Sequence, residues 1–128
     1  MTFARRITLF IMTSILLMEL LPAQAADVQV GTALVCDTEQ QVERFIAFYD
    51  GDAETAVEAV NAEVRNPTAC ALAQIAYVSG PPLATTRKSV ATFQIVQVLV
   101  IGIVTQNGVR AVEPAHFFSV LEVEERDA

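Results

Sequence analysis

The segment that decides the fold spans residues 36–70 and has the sequence CDTEQQVERFIAFYDGDAETAVEAVNAEVRNPTAC. It begins and ends on the only two cysteines of the chain. Between them, polar residues that start helices alternate with glycine and proline residues that stop them. The segment therefore predicts a two-helix unit bracketed by cysteines, and the rest of the chain is interpreted around it.

The first helix has a start, an apolar face and a stop. Asp37 or Thr38 can cap its N-terminus, with Gln40 or Gln41 placed three residues on, as in a capping box. Asp50-Gly51 can end it, because glycine adopts a left-handed conformation without steric cost. The apolar residues between these points recur at i, i+3, i+4 and i+7 and share one helix face: Val42, Phe45, Ile46 and Tyr49.

A second helix follows within the same segment. Asp52 can cap its N-terminus, and Asn66-Pro67 can stop it. Val57, Val60 and Val64 fall on one stripe of this helix. The sequence thus predicts two short helices between residues 37 and 66.

The N-terminal 25 residues have the layout of a secretory signal peptide. Arg5 and Arg6 precede the apolar run 7–21, and Ala23-Gln24-Ala25 supplies small residues at the cleavage position. A membrane span needs about 20 mostly apolar residues, whereas this run is shorter and contains Glu19. We expect a signal peptide over 1–25, a single small domain over 26–128, and a periplasmic or secreted bacterial protein.

The compartment bears on the two cysteines. A lipoprotein anchor is excluded, because Cys36 lies more than ten residues beyond the cleavage position and follows the bulky Val35. Exported domains fold under oxidising conditions, and an even number of cysteines most often pairs there. The sequence predicts a disulfide between Cys36 and Cys70.

Strand patterns occupy the chain on both sides of the helical segment. About five strands are predicted, near residues 28–36, 69–80, 89–105, 109–112 and 117–124, with Gly80-Pro81-Pro82 followed by a polar loop to Lys88. The stretch 89–105 is long enough for one bent strand or for two strands hinged near Gly102. Asn107-Gly108 predicts a hairpin with a type I′ turn. The expected fold class is α+β: a small bent antiparallel sheet or SH3-like partial barrel of about five strands, with the two-helix insertion between Cys36 and Cys70.

Charge and hydropathy argue against nucleic-acid binding and against a membrane span in the mature chain. Removing Arg5, Arg6 and Glu19 with the signal peptide changes the formal net charge from −7 to −8. Such a surface repels nucleic acid, whose binding needs clusters of lysine and arginine. The most apolar mature stretch, residues 93–104, is too short to span a bilayer and is interpreted as a buried strand. We expect neither nucleic-acid binding nor a membrane span after signal cleavage.

Catalytic and metal-binding patterns are weak. His116 is the only histidine, so a cysteine or serine nucleophile has only one candidate base. Asp50, Asp52 and Glu54 are a weak alternative as a hard-cation site, but the glycine and glutamate of a calcium loop are missing at the required positions. These acids are better explained as helix starts and stops. We expect no cofactor.

Several short motifs carry a resemblance. The strand ending in Cys36-Asp37-Thr38, the E-Q-x-x-x-x-F pattern of residues 39–45, Val60-Asn61 and Ala69-Cys70 occur together. This combination resembles small uncharacterised exported proteins of alphaproteobacteria, in which paired cysteines bracket a helical segment. The resemblance implies a signal peptide and paired cysteines, and it implies no catalytic residue.

Two functional hypotheses stay open from sequence. The first is a non-enzymatic periplasmic binding or structural module that contacts a protein, peptide or envelope component. Its predicted surface is drawn from turns and aromatics: Tyr77, Pro81, Pro82, Arg87, Asn107 and Phe118. The second is a small carboxylate-based cation-binding protein or hydrolase that uses Asp50, Asp52, Glu54 or His116. Clustering of these acids with His116 in one cleft would favour the second hypothesis.

Overall fold

The computed structural model describes residues 27–89 and 91–123, so the predicted signal peptide lies outside the described residues. Strand β1 is followed by two helices and then by three long strands. In chain order the elements are β1 (Gln29–Cys36), α1 (Glu39–Phe48), α2 (Ala53–Val64), β2 (Cys70–Lys88), β3 (Ala91–Thr105) and β4 (Gly108–Val123). In the described part of the chain, neither helix is long and apolar enough to cross a membrane.

The strands form one antiparallel sheet in the order β1-β2-β3-β4. A single pair between β1 and β4, Cys36 with Phe118, closes this sheet into a barrel. The predicted α+β class and the position of the helices between the cysteines are confirmed. The predicted number of strands is wrong, since the described residues form four strands rather than five.

Pro114 is the reason for the difference in strand number. It lies between the predicted strands 109–112 and 117–124, but β4 continues through it as one strand. Gly102 pairs with Ala111 and Val100 pairs with Ala115, so three residues of β4 bulge opposite Ile101. A bulge accommodates proline because the residue there makes no ladder hydrogen bond.

The Gly80-Pro81-Pro82 stretch behaves in the same way. The expected surface loop from there to Lys88 is wrong, because β2 extends to Lys88 and pairs with β3 from Ile75 to Lys88. The register shifts between Ser79 and Pro82 and again between Pro82 and Ala84. A Cβ on Gly80 would lie 3.1 Å from the Gln97 carbonyl oxygen, which explains why a glycine stands at this close approach.

The β3–β4 hairpin is present, but its turn differs from the predicted type. The last ladder pair is Thr105 with Gly108, so Gln106 and Asn107 form the turn. Gly108 has φ +112°, and Asn107 is not among the residues with positive φ. A type I′ turn needs positive φ at both central residues, so the glycine instead takes the left-handed position that follows the turn.

Strand β3 is buried on both faces, and this divides the core into two layers. Phe93 and Ile95 point toward the helices, whereas Val96 and Val98 point into the barrel. We call the layer on the helix side the helix-side cluster. Its residues are Leu34, Cys36, Val42, Phe45, Ile46, Ala56, Val60, Cys70, Phe93 and Ile95. The barrel layer is built on Ile75, Tyr77, Val96, Val98 and Val100.

Helix α1 begins as the sequence predicts. Thr38 is its N-cap: the Gln41 N–H donates to Thr38 Oγ1 at 3.1 Å, and the Thr38 N–H donates to Gln41 Oε1 at 3.1 Å. These two bonds form a capping box, which satisfies backbone donors that a helix start leaves free. Val42, Phe45 and Ile46 are buried, so the predicted face is confirmed.

Helix α2 confirms its predicted start and differs along its stripe. Asp52 is the N-cap and accepts a hydrogen bond from the Thr55 N–H at 3.3 Å. Val60 on the predicted stripe is buried, whereas Val64 is 40% exposed and lies outside the core. Ala56 is buried in its place, because the contact face of α2 lies nearer its N-terminal half.

Lys88, the single lysine of the chain, fixes the end of α1 to the sheet. Its ammonium donates to the carbonyl oxygens of Ile46 at 2.8 Å, Ala47 at 2.9 Å and Tyr49. The last carbonyls of a helix have no partner within the helix and carry its negative end. One side chain from the end of β2 therefore satisfies three groups at the end of α1.

The variant Lys88→Met keeps the length of the side chain and removes its three donors. We expect it to lower the free energy of unfolding by about 2 kcal/mol, the usual range for hydrogen bonds to a charged group. Urea denaturation followed by circular dichroism measures this. Arg110→Met, at an exposed position on β4, is the control and should be nearly neutral. A Lys88→Met variant as stable as Arg110→Met would contradict the assignment.

Candidate functional site

Both cysteines are taken up by the predicted disulfide. Cys36 and Cys70 are joined with an S–S distance of 2.05 Å, and both side chains are buried. Since the chain has no other cysteine, no thiol remains to act as a nucleophile beside His116. The disulfide is consistent with an oxidising, extracytoplasmic compartment.

Asn61 on α2 holds the backbone beside the disulfide. Its Oδ1 accepts from the Cys70 N–H at 2.8 Å. Its Nδ2 donates to the carbonyl oxygens of Cys70 and Pro67, each at 3.0 Å. This carboxamide was not identified from the sequence as a structural group, because its contacts depend on how the α2–β2 connection folds back.

The acidic stretch of the helix hairpin serves the helix ends. Asp52 Oδ2 also accepts from the Thr55 hydroxyl at 2.8 Å, and this bond, with the one from the Thr55 N–H, lowers the pKa of Asp52 below its ordinary value. Asp50 Oδ1 accepts from the Asp52 N–H at 3.4 Å. These bonds agree with Asp52 as the start of α2. Asp50-Gly51 does not cap α1, because that helix ends at Phe48 with Tyr49 as an extended C-cap. Within residues 27–89 and 91–123, no three histidine, cysteine, aspartate or glutamate side chains lie close enough to hold a metal ion.

An ion pair joins the two helices across their exposed sides. Arg44 Nε and Nη2 donate to the two carboxylate oxygens of Glu63 at 2.8 and 3.0 Å. The hydrogen bond from Arg44 lowers the pKa of Glu63, and the same bond raises the pKa of Arg44. The pair is solvent-exposed, so it orients the helices more than it stabilises them.

Asp50, Glu54 and His116 line three separate cavities. Asp50 lines a cavity of about 220 Å³ between the helix hairpin and the β2–β3 turn. Glu54 lines another of about 340 Å³ between α2 and the start of β2. His116 lines a third of about 230 Å³ on the sheet. The arrangement that a two-carboxylate hydrolase requires, with its acids facing one cleft, is not formed by these residues.

The third cavity, which we call the outer groove, lies on the sheet at the Gly80-Pro81 bulge. Its lining is mainly apolar, with three polar side chains at its margin, and Leu83 is 47% exposed. Among the described residues, neither helix contributes to it. The residues of the outer groove are Val78, Ser79, Gly80, Pro81, Leu83, Gln97, Leu99 and His116.

The predicted partner surface is only partly exposed. Tyr77 is 9% exposed, lies in the barrel layer and donates its hydroxyl proton to Gln29 Oε1 at 3.0 Å. Phe118 packs against the helix-side cluster. Both were expected to be exposed, and that expectation is wrong, because the strand alternation turns both rings toward apolar layers.

The remaining predicted residues are exposed but lie apart. Pro81 lines the outer groove, and Pro82 is exposed directly after it. Arg87 lies near the far end of β2, opposite Thr92. Asn107 lies in the β3–β4 turn. The structure therefore assembles a groove around one of these residues, Pro81, rather than around the whole set.

Val78, Leu83 and Leu99 were missed as groove residues. Val78 and Leu99 belong to strand segments that the sequence marks as buried, whereas Leu83 lies in the stretch expected to be a polar loop. The pairing of β2 with β3 places Val78 opposite Leu99. The signal that could have located the groove is the double proline, which forces a bulge in β2 beside them.

Comparison of the chain with protein-family models, curated proteins and solved structures gives no match. The resemblance to small exported proteins of alphaproteobacteria therefore stays a prediction from sequence.

Proposed function

We propose that the protein is a non-enzymatic binding module of the bacterial periplasm or exterior, and that its outer groove contacts an apolar part of a protein, peptide or envelope component. The observation that carries this proposal is the groove itself: an accessible, mainly apolar cavity on the sheet, lined by Leu83, Leu99 and Pro81. Exposed apolar patches with polar margins mark interaction sites more often than they mark chemistry.

The margin of the groove suits recognition. Gln97 and His116 are exposed and can donate and accept hydrogen bonds at the edge of an apolar contact. The two prolines and the bulge restrict the backbone of β2, so the groove is formed before a partner binds. A preformed surface binds with a smaller loss of conformational entropy.

The alternative, a carboxylate-based cation-binding protein or hydrolase, has less support, since Asp50, Glu54 and His116 line three different cavities. We further propose that the barrel is of the SH3-like type. The register shifts of β2 and β4 beside their prolines and the closure of β1 on β4 support this finer assignment.

The proposal is tested by photocrosslinking in cells that export the protein. A photoreactive benzoylphenylalanine is placed at Leu83 in the groove or at Ile103 on β3. The two positions make a matched pair, because each native side chain is 47% exposed. We expect a discrete adduct from position 83 that is lost when Leu99→Asp is added, and no such adduct from position 103. Equal adducts from the two positions, or none from position 83, would sink the proposal.

A further inference from the structure

Strand β2 has an open edge beside the disulfide. Cys36 and Cys70 form a ladder pair with a Cα–Cα distance of 4.1 Å, and the Asp37 N–H donates to the Ala69 carbonyl oxygen at 3.0 Å. Both observations identify a non-hydrogen-bonded antiparallel pair, in which the N–H and C=O of each residue point away from the other strand. The backbone groups of Cys70 therefore face the edge of β2 opposite β1.

The same alternation applies to Leu72. Two residues further along β2, its N–H and C=O point to the same edge as those of Cys70. Strand β3 covers this edge only from the pair Ile75 with Ile103 onward. Among the strands of the described chain, none pairs with Leu72 on this side.

Asn61 already uses this edge as a neighbouring strand would. Its carboxamide accepts from the Cys70 N–H and donates to the Cys70 carbonyl. These are the two bonds of one hydrogen-bonded ladder position. The edge therefore has the geometry to accept a strand. Asn61 occupies the ladder position at Cys70, and Leu72 is the next position along the same edge.

A groove of about 340 Å³ runs along this edge, and we call it the edge groove. Its lining includes Glu54, Val57, Glu58, Asn61 and Leu72. Glu54 and Glu58 are four residues apart on α2, so they lie on one helix face, and both are exposed. Leu72 packs against the helix-side cluster, so a residue paired with it would turn its own side chain toward α2. That side chain would enter the groove that the two glutamates line.

We propose that the edge groove binds an extended peptide by strand addition, with a lysine or arginine of the peptide paired to Leu72 and its cation placed between Glu54 and Glu58. Backbone pairing to an open edge supplies affinity, and the side chain that points into the groove supplies selectivity. The formal net charge of the chain, −7, attracts a cationic peptide as it diffuses toward the protein. The edge groove and the outer groove share no residue, so either can fail without the other.

The test uses the disulfide-bonded protein, expressed from its full coding sequence, and the capped peptide GTVTKTVTG. Titration is followed by the ¹⁵N NMR shift of the Leu72 amide. We expect a saturable shift there, and an affinity that falls as salt rises. N-methylation of the peptide lysine should weaken binding about fivefold, the effect of one lost hydrogen bond of about 1 kcal/mol. N-methylation of the next residue, whose N–H points away from β2, should leave the affinity unchanged.

The matched protein variants are E54Q/E58Q and E39Q/E43Q. Each removes two carboxylates spaced four residues apart on a helix, but only the first pair lines the edge groove. We expect the first variant to weaken binding several-fold and to bind the lysine peptide no better than a norleucine peptide. Equal weakening by both variants, an unmoved Leu72 amide, or no binding at millimolar peptide would each overturn the proposal.

Discussion

The double variant C36A/C70A is expected to lose about 4 kcal/mol of unfolding free energy, the largest single effect in the molecule. The disulfide spans 34 positions, and the chain-entropy model gives a value of this size for a loop of that length. Domains of this kind have a total stability of about 5–15 kcal/mol, so the variant should be marginally folded at 37 °C.

The structure explains why this bridge matters beyond its loop length. Both helices lie inside the loop that it closes, and α1 and α2 touch the sheet mainly through the helix-side cluster. Cys36 and Cys70 belong to that cluster and are 0% and 1% exposed. Without the bridge, the helical segment is anchored to β1 and β2 by noncovalent contacts alone.

Urea denaturation measures the effect, with the wild-type protein under reducing conditions as a second reference. If the bridge dominates, C36A/C70A and the reduced protein should unfold at similar urea concentrations, and both should show larger m-values than the oxidised protein. A reduced protein as stable as the oxidised one would contradict the prediction. If C36A/C70A were less stable but the reduced wild-type protein were not, the lost stability would be assigned to packing of the sulfur atoms.

The helical half of the fold could be predicted because its signals are local. Thr38 with Gln41, and Asp52 with Thr55, are pairs three residues apart whose hydrogen bonds form within one helix turn. The disulfide followed from the compartment and the even number of cysteines. None of these inferences required knowledge of which strand lies beside which.

The sheet was harder to predict because its decisive features are non-local. Pro81 and Pro114 each suggested a strand end, yet each lies in a bulge whose existence depends on the partner strand continuing past it. The barrel then turns Tyr77 and Phe118 toward apolar layers, which an alternating pattern alone does not orient. Predicting their exposure would have needed the register of all four strands.

For the candidate sites too, local signals could be found in the sequence, whereas contacts that depend on the fold could not. Pro81 was identified, but its groove partner Leu99 is brought to it only through the β2–β3 ladder. The edge groove was not predicted at all, since Leu72 and Glu58 meet only when α2 folds back along β2. The residue that holds α2 in this position is Asn61.

Replacing that residue, as Asn61→Ala, is expected to cost about 3 kcal/mol of unfolding free energy. Cys70 is 1% exposed, so its N–H and C=O lose their partner where water has little access, at about 1–3 kcal/mol for each group. Asn61→Asp keeps the acceptor for the Cys70 N–H but turns a carboxylate oxygen toward the Cys70 and Pro67 carbonyl oxygens, so it should not recover the stability lost in Asn61→Ala.

Asn66→Ala is the control for the Asn61 variants, because the Asn66 side chain accepts hydrogen bonds only from the exposed Thr68. Amide exchange gives the residue-level measurement. The Cys70 amide should be protected in the native protein and in Asn66→Ala, and it should exchange rapidly in Asn61→Ala. If Asn61→Ala and Asn66→Ala were equally stable with the Cys70 amide protected in both, β2 would be held to α2 by packing alone. In the expected case, the Asn61 carboxamide occupies the edge of β2 at Cys70, and Leu72 is the next edge position, which no strand of residues 27–89 and 91–123 pairs with on that side.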